Sequence, residues 1–422
     1  MNIQLPYGHT SISGEIPDDF QVDFIEPPQF SADETPQQMI RAALDHLLDG
    51  LEWAHFSKSK SVAIAINDKT RPVPLNHLLP PLLKRVHAVG IEDEDICFYI
   101  AVGAHPPMTA DEIKNFLPDQ ITKKYRVVSH DCEANDELIF LGATSYDTPI
   151  WVNKGFADAE FKIVVGNIEP HQFVGFSGGV KGAAIGLAGL ETVNHNHSLM
   201  IQTGSQLGVF ENNPVRQDIE EIGQKMGVHL ALNTILNHSR EIVKVFAGEP
   251  GAVMQAGIPW ARKILEVPVT DEYPLLISSP GGYPKDINVY QSQKAIAHAA
   301  RITKPGGTII LTAACPEGSG SSHYEQWVMK HQTHAEVMEK FVGDGFHIGP
   351  HKAYLIARDA TRYRLLSCTE LGQNLAQNLL LNPIENLQSA IDLALKELKP
   401  GDRVGILAHA TSTIPTIENR IH

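Results

Sequence analysis

The strongest constraint on the fold is an alternation in which short, apolar, β-branched runs are separated by stretches of helical periodicity. "SVAIAIND" (61–68), "DICFYIAVG" (95–103) and "FKIVVGNI" (161–168) are continuous apolar runs, with "VPLNHLLPPLLKRVHAVG" and "TADEIKNFL" lying between them. A run without polar alternation belongs to a strand covered on both faces, and a helix-length connection returns the chain parallel to itself. Repeated βαβ units and a mainly parallel sheet follow. A second series opens near Tyr273 with "YPLLISSPGG", continues through "DINVYQSQKAIAHAARIT" and "GGTIILTAAC", and closes with "DRVGILAHA". At 422 residues the chain exceeds what one hydrophobic core supports. The expected fold class is therefore α/β, with two α/β domains of mainly parallel sheets flanking a central cleft. The boundary is expected near 262–274, giving an N-terminal domain 1–268 and a C-terminal domain 269–422, the last dozen residues being free to rejoin either.

Composition narrows the function. A formal charge of −15 argues against a nucleic-acid partner, since phosphate contacts need a basic surface, and it means that an anionic substrate requires a local cationic pocket. No apolar run approaches the length of a membrane span, and "MNIQLPYGHTSISGEI" lacks the basic and apolar regions of an export signal, so a cytoplasmic protein is expected. Cys97, Cys132, Cys315 and Cys368 form no C-x-x-C pair, which argues against a disulfide framework or a cysteine-built zinc site.

Ligands of open α/β sheets collect beyond the carboxyl ends of the strands. Asp68 and Arg71 follow the first run, His105 the second, His171 the third, and "SPGGYPKD" the run near 275. Arg71 suits bidentate recognition of a carboxylate or, more plainly, an ion pair with Asp68. The stretch "GNIEPHQFVGFSGGVKGAAIGLAGLETVNHNH" (166–197) combines histidines and Lys181 with glycine and small apolar residues, which suits a site better than a core or a solvated face. "GFSGG" (175–179) matches the G-x-S-x-G elbow of a serine hydrolase with Ser177 as nucleophile, but the elbow needs strand, serine and helix in direct succession. "GGVKG" is not a phosphate-binding P-loop, although a glycine turn before a helix start near Val180 would present backbone N–H groups to an anion. Lys181 there meets the unfavourable end of the helix dipole, as a covalent or electrostatic anchor would, or as a solvent-pointing lysine. His195 and His197 are two apart, so only one can face a given site, and an unbroken helix would hold His197 about 24 Å from Lys181. Gly189 offers the break. Tyr290, Gln291 and Lys294 fall within one helical turn of the second domain, with Gln291 and Lys294 neighbours at i, i+3.

Together "DKTRP" (68–72), "GAHPP" (103–107), "HQFVGFSGGVKG" (171–182), "ETVNHNH" (191–197) and "GGYPKDINVYQSQK" (281–294) resemble the nickel-dependent lactate racemase family over nearly the whole chain. The resemblance implies two α/β domains around a cleft holding a nickel pincer nucleotide, a pyridinium mononucleotide that grips nickel through two sulfurs and a ring carbon. It implies a covalent link through Lys181, with His197 as the protein's nickel ligand, and His105 and His171 as the acid–base pair. Asp68, Gly175, Ser177, Gly178 and Gly179 would support the cofactor and its neighbours. Arg71, Tyr290, Gln291 and Lys294 would hold the substrate, and Tyr354 would close its pocket. Square-planar sulfur, carbon and imidazole donors suit Ni(II). The implied activity is racemisation or epimerisation of a lactate-like 2-hydroxy acid by reversible hydride transfer, with cofactor-maturation enzymes as partners and self-association into a homo-oligomer left open. Here Val180, in place of the family's proline, precedes Lys181. Competing readings are a non-catalytic binder of a small anion or nucleotide, a serine hydrolase using Ser177, and a nicotinamide-dependent dehydrogenase, for which no early G-x-G-x-x-G is present.

Overall fold

The computed structural model describes residues 1–237 and 239–418, so the last four residues lie outside the described ones. The chain divides into two compact units, Gln29–Ile264, and Met1–Pro28 with everything from Leu265 onward. Both are α/β with mainly parallel sheets.

In the Gln29–Ile264 unit a six-stranded sheet runs in the order Ile242–Gly248, Leu230–Leu236, Phe161–Asn167, Val62–Asn67, Ile96–Ala101, Arg126–Ser129. All neighbours are parallel except the first pair. The apolar runs occupy the middle because helices cover both faces there: Phe161–Asn167 is buried throughout. Helix Leu75–Ala88 buries Leu75, Leu78, Leu79, Leu82, Leu83 and Val86 along one stripe, and this burial carries it through Pro80 and Pro81. Helix Pro214–Met226 starts at Asn213, whose side chain accepts the Arg216 N–H, with proline in its first turn, and ends at Gly227 with φ +67°.

The other unit carries a five-stranded, all-parallel sheet in the order Arg364–Cys368, Thr303–Thr312, Tyr273–Ser278, Arg403–Leu407, Gln21–Phe24. The outermost strand comes from the N-terminus. Residues 1–28 thus belong with the later half of the chain, whereas the sequence reading places them in a domain 1–268. The reason is backbone pairing: Gln21–Phe24 satisfies the edge of Arg403–Ile406, and four residues of "QVDF" carry no signal of their partner. At the other end Ile414–Ile417 pairs with Glu266–Val269 inside this unit. No helix among the described residues is long and apolar enough to cross a membrane.

Candidate functional site

Three adjacent parallel strands of the Gln29–Ile264 unit deliver the predicted residues to one sheet edge. Asp68 follows Val62–Asn67, His105 lies beyond Ile96–Ala101 on its other side, and His171 lies beyond Phe161–Asn167. His105 Nδ1 lies 2.7 Å from Asp68 Oδ2, while Asp68 Oδ1 accepts the Thr70 hydroxyl at 2.7 Å and its backbone N–H at 3.1 Å. Burial alone would raise the Asp68 carboxyl. The His105 hydrogen bond and charge, Thr70 and the nearby Arg71 outweigh it and hold the group below the usual carboxylate range. A carboxylate only accepts, so His105 carries a proton on Nδ1 and turns Nε2 away from Asp68. Arg71 pairs with Glu169 at 3.6 Å rather than with Asp68, so its guanidinium reaches across to the strand that leads to His171.

His171 sits on a tight hairpin, Pro170–His171 against Gly175–Phe176, and the Val174 N–H approaches its Nδ1 at 3.4 Å. The buried Phe173 ring lies edge-on between His171, at 4.7 Å, and His197, at 5.1 Å. Gly175 has φ +78°, and a Cβ there would run into the Val209 carbonyl. Three of the amides in the glycine turn are taken up within the fold. The N–H groups of Ser177, Gly179 and Lys181 donate to Glu169 O, Asn233 Oδ1 and Gly178 O, and the helix that follows, Lys181–Ala184, has only four residues. Gly178 and Gly179 instead allow Met254, Ile168 and Asn233 to pack against the turn. Ser177 follows this two-residue strand of the hairpin and not a central strand, so the hydrolase elbow is absent.

Lys181, half-buried, opens the short helix. The segment behind it is locked to the His105 loop, because Gly186 O accepts the Gly103 N–H at 2.9 Å and Gly186 lies so close to Ala101 that no side chain fits. Gly189 caps the next helix, Leu190–Ser198, so the chain turns back between Lys181 and His197. The two histidines then diverge: His195 Nδ1 meets Thr148 Oγ1 at 2.8 Å, whereas His197 packs on Phe173 with Nδ1 3.0 Å from Asn196 Oδ1.

Tyr290, Gln291 and Lys294 lie in the other unit on helix Val289–Ala299, capped by Asn288, which accepts the Gln291 N–H. Lys294 Nζ donates to Gln291 Oε1 at 2.6 Å, as their spacing predicts. Tyr354 stacks on Phe341, at 4.8 Å; the residues beside Tyr290 are His351, at 5.7 Å, and Lys352, whose Nζ lies 4.7 Å over its ring. His351 and Lys352 stand in the same "HKAYLIARD" as Tyr354, and helix phase selects them.

Sequence reasoning also missed the supports of the site. Arg216, 1% exposed, donates to Phe176 O at 3.1 Å and Gly178 O at 3.2 Å, fixing the glycine turn from below. Asn196 and Asp218 are fully buried behind His197. A charged residue on the buried stripe of an amphipathic helix has no signature in the chain order.

Mainly parallel sheets with histidine and carboxylate side chains beyond their strand ends have the form of an α/β protein that takes a small ligand at the strand carboxyl ends. Two family models match, the lactate racemase N-terminal domain over residues 7–208 and the lactate racemase C-terminal domain over 270–414. The chain belongs to the lactate racemase family and is an isomerase, which removes the non-catalytic and hydrolase readings. It is 25% identical to a lactate racemase of Thermoanaerobacterium thermosaccharolyticum over 98% of this chain and 99% of that one. It is 28% identical to a lactate racemase of Lactiplantibacillus plantarum over 76% and 77% of the two chains. The solved lactate racemase apoprotein of T. thermosaccharolyticum superposes with a TM-score of 0.92, covering 98% of this chain and all of that one at 25% identity. A Thermotoga maritima protein shares the fold with a TM-score of 0.72 at 16% identity, over 92% of this chain and all of that one.

Proposed function

We propose that the chain racemises or epimerises a lactate-like 2-hydroxy carboxylic acid with a nickel pincer nucleotide tethered at Lys181. What supports the reading is that the loop of the Asp68–His105 pair is hydrogen-bonded to the segment after Lys181, through Gly103 N–H and Gly186 O, and that His171 and His197 share Phe173 as a neighbour. The donor set fits the group. Among the described residues no three His, Cys, Asp or Glu side chains gather to hold a metal, so nickel held here would take most of its donors from the cofactor. His197, its Nδ1 engaged by Asn196, would add one imidazole through Nε2.

When bound, this cofactor supplies a reversible hydride acceptor. Taking the α-proton of a hydroxycarboxylate directly would build a dianion; with a hydride acceptor bound, the chain's own residues would have only the hydroxyl proton to move. His105 Nε2 takes that proton from one enantiomer, and Asp68 steadies the resulting imidazolium. His171, whose Nδ1 lies 3.4 Å from the Val174 N–H, is assigned the proton exchange on the opposite face through Nε2. Arg71 is proposed to bind the carboxylate, and Tyr290, Gln291 and Lys294 to serve anion recognition on their own unit. A cytoplasmic location and dependence on cofactor-maturation enzymes accompany the reading.

The test uses protein from a host supplied with nickel and the maturation enzymes. Intact mass is expected to exceed that of the bare chain, with the increment lost in Lys181→Ala, and chiral chromatography should show lactate or a related acid interconverting. His105→Ala and His171→Ala should each lower kcat by roughly 10²–10⁴-fold or more. A bare-chain mass from that host, or full turnover in either histidine variant, would overturn the assignment.

A further inference from the structure

Asp218 is a fully buried carboxylate on helix Pro214–Met226, and among the described residues its hydrogen-bond partners are neutral: the hydroxyls of Thr144 and of Thr148, the latter at 2.9 Å, and Asn196 Nδ2 at 2.8 Å. Burying an acid without a cation is unfavourable, so its place in the fold needs a reason. The proton positions supply one. Asn196 Nδ2 also donates to the Val215 carbonyl at 3.1 Å, and a carbonyl can only accept. The amide of Asn196 is therefore fixed with its NH2 toward Val215 and Asp218 and its oxygen toward His197 Nδ1. An amide oxygen also only accepts. The His197 proton must then sit on Nδ1, and the lone pair falls to Nε2. The same carboxylate accepts the hydrogen bond donated by the Thr148 hydroxyl, which leaves that oxygen to accept from His195 Nδ1.

We propose that Asp218 is a positioning residue: acting through the Asn196 amide, it sets the tautomer and orientation of the His197 imidazole so that Nε2 is its metal-binding atom. The inference rests on the reading of His197 as the nickel ligand, and it adds two residues that touch neither metal nor substrate. A ligating imidazole is commonly held by a hydrogen bond from its other nitrogen, and losing that support costs about 10–100-fold in metal affinity.

The experiment is nitrogen NMR of the full chain with labelled histidine, first without metal and then titrated with NiCl2 alone. In the wild type, His197 is expected as the Nδ1–H tautomer. Asp218→Leu and Asn196→Leu should shift it toward Nε2–H and raise the nickel concentration needed to broaden its signal by about 10–100-fold. Asp218→Asn, whose side-chain oxygen can still accept from Asn196, should restore the wild-type spectrum, which a purely structural role for the carboxylate does not predict. An Nε2–H tautomer in the wild type overturns the inference without any variant, as does an unchanged tautomer in a folded Asp218→Leu protein. If a histidine other than His197 broadens first in the wild type, the ligand reading falls, while the metal-free tautomer still decides the role of Asp218.

Discussion

Asp68 keeps its charge at 5% exposure because His105 and Thr70 supply the hydrogen bonds that water would otherwise give. Removing the charge while keeping the shape, as in Asp68→Asn, lets the imidazole adopt the other tautomer, and kcat should fall by roughly 10²–10⁴-fold with KM less affected. The same substitution has a pH signature. A carboxyl held below its unfolded value contributes stability that is complete above about pH 4 and is lost as pH falls through the lower folded value. The Tm gap between wild type and Asp68→Asn should thus be constant near neutrality and close in acid; a gap that widens in acid would refute the assignment. At this scale the chain order shows residue type and local position: His105 and His171 stand just beyond strands, whereas Lys181 and His197 lie on the short helices Lys181–Ala184 and Leu190–Ser198. Arg216, Asn196 and Asp218 were invisible because they hydrogen-bond atoms 19 to 74 residues away in the chain.

The hairpin that carries His171 depends on backbone shape more than on side chains. Gly175, at φ +78° and pressed against Val209, cannot become alanine without moving the hairpin, so Gly175→Ala should lower stability by about 2–4 kcal/mol and reduce turnover through His171. Urea denaturation with single-turnover kinetics separates the two effects; equal stability and turnover would show the strain to be absent. The break between Lys181–Ala184 and Leu190–Ser198 follows from Gly189, a helix starter that a reader of the sequence can find. The use of the turn's amides was not legible: whether an N–H meets a ligand or Glu169 O depends on which strand lies alongside.

Across the whole chain the two units carry separate vulnerabilities. His298 is fully buried on helix Val289–Ala299 with Nδ1 donating to Thr413 O at 2.7 Å, and burial depresses it from its ordinary 6.5 to about 4. Since the unfolded chain binds this proton first, stability is expected to fall between about pH 6.5 and pH 4, by on the order of 3 kcal/mol. His298→Gln, which can donate without titrating, should flatten that fall in calorimetry; an identical slope would exclude His298 as its source. A chain begun at Gln29 uncovers the edge of Arg403–Leu407 and removes the Gly8 N–H from Asp286, so the unit that follows Leu265 should melt earlier while Gln29–Ile264 keeps its own transition. A single unchanged transition would contradict the two-unit division. The amino-acid order by itself determined the α/β class, the parallel sheets and the strand-end residues, because hydrophobic period and residue type are local properties. The tertiary structure alone decided that the first 28 residues join the later unit, that Arg71 meets Glu169, and that Asp218 stands behind His197. Edge pairing, charge pairing and buried hydrogen bonds are settled by what lies next in space, and the order of residues does not record that.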